Sequence, residues 1–384
     1  DSAQLLNRVA QSVLSLMLDA PTRSQWNVLF SPMALAVSLT VLAAGSDGEA
    51  RRELCQLLQM QLPQLEQLID TFKAETTEHL FYVAHKLFLE ADCPLLETFR
   101  HQIEAKYMTT AQNVDFKSPH NEFVRVINEW CGIATNGKVS AVVSPTTLPP
   151  DTSMVLVSAI FFKGLWRDRF SSNSTQQMQF HVNRLETLNV RMMMRTGKYM
   201  YAELPSLRVR ALEIPYRSGN VALVVVLPTD FDGLRLNQHT LLQGDLLRDV
   251  TRQLRPRSNV RLGLPKCVVT VRSKLRSLLE KLGVRSTFGQ ESARFTAISG
   301  YQGLKATDLL HVAMLEVSED GNETPRTVAL VSEVVAKVAS PTVFLVDRPF
   351  LFFVRSTATG AILLTGCVRQ PLEWRPESPD NSVM

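Results

Sequence analysis

The chain has no run of the roughly 18–20 uninterrupted apolar residues that a helix needs to cross a bilayer. Its longest apolar stretches, Met154–Phe162 and Val221–Leu227, have strand length and are rich in Val and Ile. Cysteine is scarce and scattered. Cys55, Cys93, Cys131, Cys267 and Cys367 form no C-x-x-C pair, which argues against a structural zinc site. Their odd number leaves at least one free thiol, and isolated cysteines of this kind behave as small buried hydrophobes. Histidine is equally dispersed, with no H-E-x-x-H and no metal-ligand spacing. A G-x-S-x-G nucleophile elbow is missing, and no other catalytic constellation emerges. The formal net charge of +4 is too small to imply nucleic-acid binding by itself. No Gly/Ser/Pro-rich linker, charge run or internal repeat divides the sequence. These absences point away from an enzyme, a metal or cofactor protein, a membrane protein and a nucleic-acid binder.

What remains is 384 residues, 45% apolar and 20% charged, enough to build a large core in a single domain over 1–384. The first third reads helical. Leu5, Val9, Val13 and Leu16 recur at helical spacing, then Leu35, Leu39 and Leu42, then Leu54, Leu57 and Leu58. Ser31-Pro32 is a cap and first-turn pair. From about residue 154 the texture changes to strands: Val155–Phe162, Ala211–Ile214, Val221–Leu227, Val343–Val346 and Phe350–Val354. A helical insert, Lys274–Leu282, ends at Gly283. Helices first and strands later, without βαβ alternation, predict an α+β architecture.

Three local patterns invite a functional reading. Gly132 to Lys138 satisfies G-x-x-x-x-G-K, but Val139 stands where a phosphate loop needs Ser or Thr, and Phe123–Trp130 before it has helical spacing. A helix closed by Asn136-Gly137 is the expected alternative. Arg248, Arg252, Arg255, Arg257 and Arg261 form a basic segment, either a solvated face or a site for a polyanion such as a heparin-like glycosaminoglycan. Sequons at Asn173 and Asn322 fit glycosylation and a secreted, extracellular protein, and a first residue of Asp1 in place of Met means that something was removed, either a signal peptide or another leading sequence.

Longer motifs run in order along the chain. Asn27-Val-Leu-Phe-Ser31-Pro32 is followed by Ile127-Asn128-Glu-Trp130 and Thr135-Asn-Gly137-Lys138-Val139. Next come Ser158-Ala-Ile-Phe-Phe162-Lys163-Gly164-Leu-Trp166 with Phe170, then Leu212-Glu-Ile-Pro215-Tyr216, Leu264-Pro265-Lys266, and Leu282-Gly283-Val284 with Phe288. His311-Val-Ala313 through Gly321, and Asp347-Arg348-Pro349-Phe350-Leu-Phe352 with Gly360 and Gly366, complete the set. In this combination the sequence resembles the serpin superfamily, the serine protease inhibitor fold. The resemblance implies an α+β architecture of about nine helices and three β-sheets layered round one core, with an exposed reactive-centre loop at about 321–341. It also implies a monomer whose partner is a serine protease. The protease cuts the loop, and the cut loop inserts as a new central strand, so the native form is kinetically trapped.

Insertion requires alternate loop residues to face the core and each N–H to join the ladder. The family pattern makes Glu319 and Gly321 the hinge and turns Asn322, Thr324, Arg326, Val328, Leu330, Ser332 and Val334 inward. Burying an unpaired Arg326 guanidinium costs several kcal/mol. Pro325 donates no ladder bond, and a glycan on Asn322 would obstruct the strand further. Against the Arg348-Pro-Phe anchor the loop is about three residues longer than usual, and an insertion of two would keep the parity. Where the family gates its sheet, Ser31 and His311 match, but Ala34 stands for a usual serine and Ser158 for a usual asparagine. Spacing from Gly321 places the reactive bond at Val335-Ala336, suited to an elastase-like pocket. Lys337-Val338, two residues on, suits a trypsin-like one and is favoured here because the loop is long. The alternative is a non-inhibitory serpin: a hormone carrier, chaperone, signalling ligand or peptide precursor. Near Leu65–Thr76, where several serpins bind heparin, only Lys73 is basic.

Overall fold

Helical spacing in the first third is realised as α1 (Ser2–Asp19), α2 (Pro32–Gly45), α3 (Gly48–Leu58) and α4 (Leu62–Glu75), followed by α5 (Glu97–Lys106) and α6 (Glu122–Ala134). The later helices are α7 (Gly233–Leu242), α8 (Leu246–Gln253) and α9 (Arg276–Lys281). The structure is a computed structural model and describes residues 2–19, 26–75, 80–289, 294–301, 303–319 and 340–372. Ser31 caps α2 as expected, its Oγ accepting from the Ala34 N–H at 3.1 Å. Every residue of α2 is buried, the signature of a helix run through the core rather than laid on it. Gly283 follows α9 at φ +97°, the left-handed cap that favours glycine.

The strands are β1 (Val28–Phe30), β2 (Leu80–Glu90), β3 (Thr109–Val114), β4 (Met154–Lys163), β5 (Thr175–His181), β6 (Thr187–Leu204) and β7 (Val209–Pro215). After them come β8 (Val221–Pro228), β9 (Arg255–Pro265), β10 (Cys267–Lys274), β11 (Asp308–Val317), β12 (Thr342–Leu345), β13 (Phe350–Ser356) and β14 (Ile362–Val368). β2 and β3 interrupt the helical first third. β2 pairs with β4, far along the chain, and β3 pairs only with β2, so a local reading of spacing does not reveal them. One set of strands follows the order β1-β14-β13-β8-β7-β6-β9-β12, with β5 beside β6. The long β6 pairs with β5, β7 and β9, and its ladder with β9 shifts register between Gly197 and Tyr199. The other sheet is β10-β11-β4-β2-β3. Its strands alternate sides: Val155, Val157 and Phe161 of β4 meet Phe123, Ile127 and Cys131 of α6, while Leu156, Ile160 and Phe162 belong to the main core that contains α2.

Candidate functional site: a parallel seam and the two ends of a loop

At the middle of the five-stranded sheet, β4 and β11 run parallel and are paired over eight residues, from Asp308↔Val155 to Leu315↔Phe162. Both neighbours across this seam pair antiparallel, β10 with β11 and β2 with β4. The seam carries a polar row on its α2 side. Ser273, His311, Ser158, His85 and Thr109 stand side by side on five successive strands, and all are buried. The Ser31 N–H donates to His311 Nε2 at 3.0 Å, and Ser31 Oγ donates to the Leu363 carbonyl at 2.7 Å. Because His311 Nε2 accepts, the neutral ring carries its proton on Nδ1. Ser158 Oγ lies 3.0 Å from His85 Nδ1 and 2.8 Å from Ser38 Oγ, which in turn donates to the Ala34 carbonyl at 3.1 Å. Ala34 thus contributes only backbone atoms. The hydroxyl comes from Ser38, one turn further along α2, and His85 supplies the partner that Ser158 lacks in its own strand. Sequence reasoning missed both residues, although a lone histidine amid the apolar run of β2 was a usable signal. Burial pushes the His311 imidazole down to about 4. Burial, and then the neighbouring His311, push His85 down to about 3.

At the upper end of the seam Lys163 of β4 and Glu316 of β11 form an ion pair, with side chains only 16% and 19% exposed. Just beyond, Trp166 Nε1 donates to the Ser318 carbonyl at 2.8 Å and its ring stacks on Tyr216, centroids 4.7 Å apart. Glu319, the last described residue before the 320–339 segment, accepts from Lys266 Nζ at 2.8 Å and from Thr175 Oγ1 at 2.9 Å, with Arg191 3.9 Å away. Burial pushes its carboxyl up, but the Lys266 bond, with help from its own backbone and Thr175, outweighs this and holds it below the ordinary value. On the far side of residues 320–339, β12 pairs parallel with β9, Thr342 opposite Val260. Arg257 Nε donates to Thr342 Oγ1 at 3.1 Å, and Arg210 Nη1 to the Val343 carbonyl at 2.9 Å. Further on, Arg348 donates to Asp347 at 2.8 Å and lies 4.4 Å over the Phe231 ring.

The hinge residues Gly321, Asn322, Thr324, Pro325 and Arg326, and both candidate reactive bonds, Lys337-Val338 and Val335-Ala336, lie outside the described residues. Asn173 is exposed in the single turn Ser172–Ser174 before β5. Gly132 falls inside α6, and Asn136 and Gly137 close that helix at φ +51° and +74°. The G-x-x-x-x-G-K string is therefore a helix end and not a phosphate loop, which needs a preceding strand. Asn128 of the same helix accepts from the Val142 and Val143 N–H groups at 2.7 and 2.9 Å, which explains its place in the Ile127-Asn128 motif. Lys73 is occupied by Asp70 at 3.1 Å and the Lys106 carbonyl at 2.9 Å. Arg248 and Arg252 project from α8, and Arg255, Arg257 and Arg261 from β9, all exposed.

The centre of the five-stranded mixed sheet is thus a parallel seam lined by a buried polar row, and β12, which follows residues 320–339, pairs into the second sheet. A family model described as Serpin (serine protease inhibitor) matches residues 4–371, and the chain belongs to that family. It is 30% identical over 358 residues to intracellular coagulation inhibitor 1 of Tachypleus tridentatus, covering 90% of this chain and 85% of the relative. It is 29% identical over 358 residues to the leukocyte elastase inhibitor of Xenopus laevis, covering 91% and 94%. Uncleaved ovalbumin superposes with a TM-score of 0.87 at 25% identity, covering 97% of this chain and all of that one. These relatives run against the expectation of a secreted, extracellular protein: the relative at 30% identity is intracellular by name. The two sequons that suggested secretion are three-residue patterns that recur by chance, a weaker signal than resemblance along the whole chain.

Proposed function

We propose that this chain presents residues of about 321–341 to a serine protease as a pseudo-substrate, the whole of 1–384 working as one serpin domain. The parallel seam carries this reading. A segment leaving β11 and folding back beside it runs antiparallel to β11, and so also to β4. Insertion would replace one parallel pairing by two antiparallel ones, which are slightly more stable per residue. The gain is withheld while Ser31 and Ser38 anchor His311 of β11 and Ser158 of β4 to the start of α2 and to α2 itself, and the Lys163–Glu316 pair bridges the seam. We assign the reactive bond to Lys337-Val338 and hence a trypsin-like target. Val335-Ala336 is the elastase-like alternative, in keeping with the name of the Xenopus laevis relative.

A second reading, a non-inhibitory serpin, draws on Pro325 and Arg326, which obstruct insertion on the face that must be buried. Incubation with trypsin and with elastase decides between them. An inhibitor gives a covalent complex that survives boiling in detergent, and the clipped molecule melts higher than the intact one. A substrate gives two fragments, no complex and an unchanged melting curve.

A further inference from the structure

The loop leaves and returns along one ladder. Glu319 is held by Lys266, whose N–H bonds the Arg191 carbonyl at 2.8 Å, beside the Met192↔Pro265 pair of β6 and β9. Thr342 sits opposite Val260, which pairs with Gly197 of the same ladder. From Pro265 to Val260 is five residue steps, about 16 Å at roughly 3.3 Å per residue. The described residues on either side of 320–339 are therefore both anchored at the β6–β9–β12 surface.

That surface is strongly cationic. Arg261 stands between Thr196 of β6 and the exposed Val343 of β12. Lys198 is exposed at the bulge facing 257–260. Arg255 reaches the Arg252 carbonyl at 2.9 Å, joining the end of α8 to β9, and Arg257 lies 5.6 Å over the Tyr201 ring. Among the described residues none of Arg248, Arg252, Arg255, Arg257 and Arg261 has an acidic partner, although Asp245 and Asp249 share α8 with two of them. Asp245 is taken up in capping that helix, accepting from the Arg248 N–H at 3.2 Å, and Glu203 accepts from the Tyr201 hydroxyl at 2.6 Å. Residues 245–265 hold these five arginines and two aspartates, Asp245 and Asp249, a net of +3 against +4 for the whole chain, so the charge is concentrated here.

We infer that this arginine face is a docking surface for an acidic patch on the protease that attacks the neighbouring loop, steering it and fixing its orientation before the bond is cut. The inference rests on the loop-presenting reading above. Charge complementarity of this kind acts mainly on association rate, with gains of about 10- to 1,000-fold at low salt. A sulfated glycosaminoglycan is the other partner such a face would suit, but it is an extracellular ligand, and the relative at 30% identity is intracellular by name.

The probes are an anionic and a cationic trypsin, which share specificity for Lys and Arg and differ in surface charge. The second-order rate of loop cleavage or complex formation is measured for the full chain and for Arg248→Glu and Arg261→Glu. The ratio of the anionic to the cationic rate is expected to fall about tenfold in each variant. In the unaltered protein, salt should slow the anionic enzyme more steeply than the cationic one, a readout that depends on no variant folding. An unchanged ratio with both trypsins still cutting the loop overturns the docking surface and leaves the loop-presenting reading intact. The same unchanged ratio with heparin retention lost in the variants overturns it in favour of a glycosaminoglycan site. If neither trypsin cuts the loop, the reading beneath it fails as well.

Discussion

His85 Nδ1 and Ser158 Oγ lie 3.0 Å apart across β2 and β4, one strand from the seam that a loop must part. On the seam itself His311 faces Ser158, so two buried imidazoles flank one hydroxyl. Among the described residues His85 Nε2 and His311 Nδ1 have no hydrogen-bond partner, and no carboxylate stands in the row to neutralise a protonated ring.

This arrangement sets a pH dependence. Both imidazoles are held below their ordinary value of about 6.5. Between that value and about 4 for His311, or about 3 for His85, the unfolded chain binds protons that the fold refuses. Stability attached to the row is therefore complete above about pH 6.5 and is lost as pH falls toward 4 and then 3. The melting temperature of the intact protein should fall over that range, and His85→Asn should flatten the fall. An equally steep fall in the variant would remove His85 from the account.

Glu319 predicts a graded effect at the start of the loop. Glu319→Gln keeps an acceptor for Lys266 and Thr175, whereas Glu319→Lys places a third cation beside Lys266 and Arg191. The lysine variant should lower the melting point of the intact protein more than the glutamine variant. Its carboxyl is held down in the fold, so its contribution is present above the ordinary value of about 4.3 and is lost as pH falls through the lowered one. Equal melting curves for the two variants at pH 7 would show that charge at this position is immaterial.

Much of this was legible in the sequence where a motif is satisfied locally. Ser31-Pro32 reads as a helix start because the cap bond is three residues away, and Asn136-Gly137 reads as a helix end because only two backbone angles matter. The polar row was half legible. Ser31, His311, Ser158 and the substitution at Ala34 could be picked out, but Ser38 and His85 take part only because α2 lies under β4 and because β2 pairs with it in one register. The arginine cluster was visible as a charge pattern. Its position between the two ends of the loop depends on strand order in the second sheet, which no local spacing encodes.

The ion pair across the seam gives a kinetic prediction. Lys163 and Glu316 are mostly buried, so removing one partner leaves the other poorly solvated, at a cost of about 1–3 kcal/mol. Glu316→Gln should let the sheet open more readily. Incubation near 50 °C, followed on native gels, should convert the variant to a loop-inserted or polymeric form several times faster than the unaltered chain. Identical conversion rates would assign the closing of the seam to the polar row alone.

The strictest demand falls on Arg326. An inserted strand would present its inward residues to the face shared by Leu156, Ser158, Ile160 and Phe162 of β4 and Leu309, His311, Ala313 and Leu315 of β11. No carboxylate is among them, and the two histidines nearby are themselves held neutral, so a guanidinium arriving there meets no counter-charge. Pro325 adds a missing donor in the same stretch, since a central strand bonds on both sides. The double substitution Pro325→Ala and Arg326→Ala should raise the fraction of trypsin trapped as covalent complex, from a minority of turnovers to most of them, and should widen the melting gap between clipped and intact protein. If the unaltered chain already traps trypsin at one molecule per molecule, the buried-arginine argument is wrong and the loop has found a way to neutralise or avoid that charge.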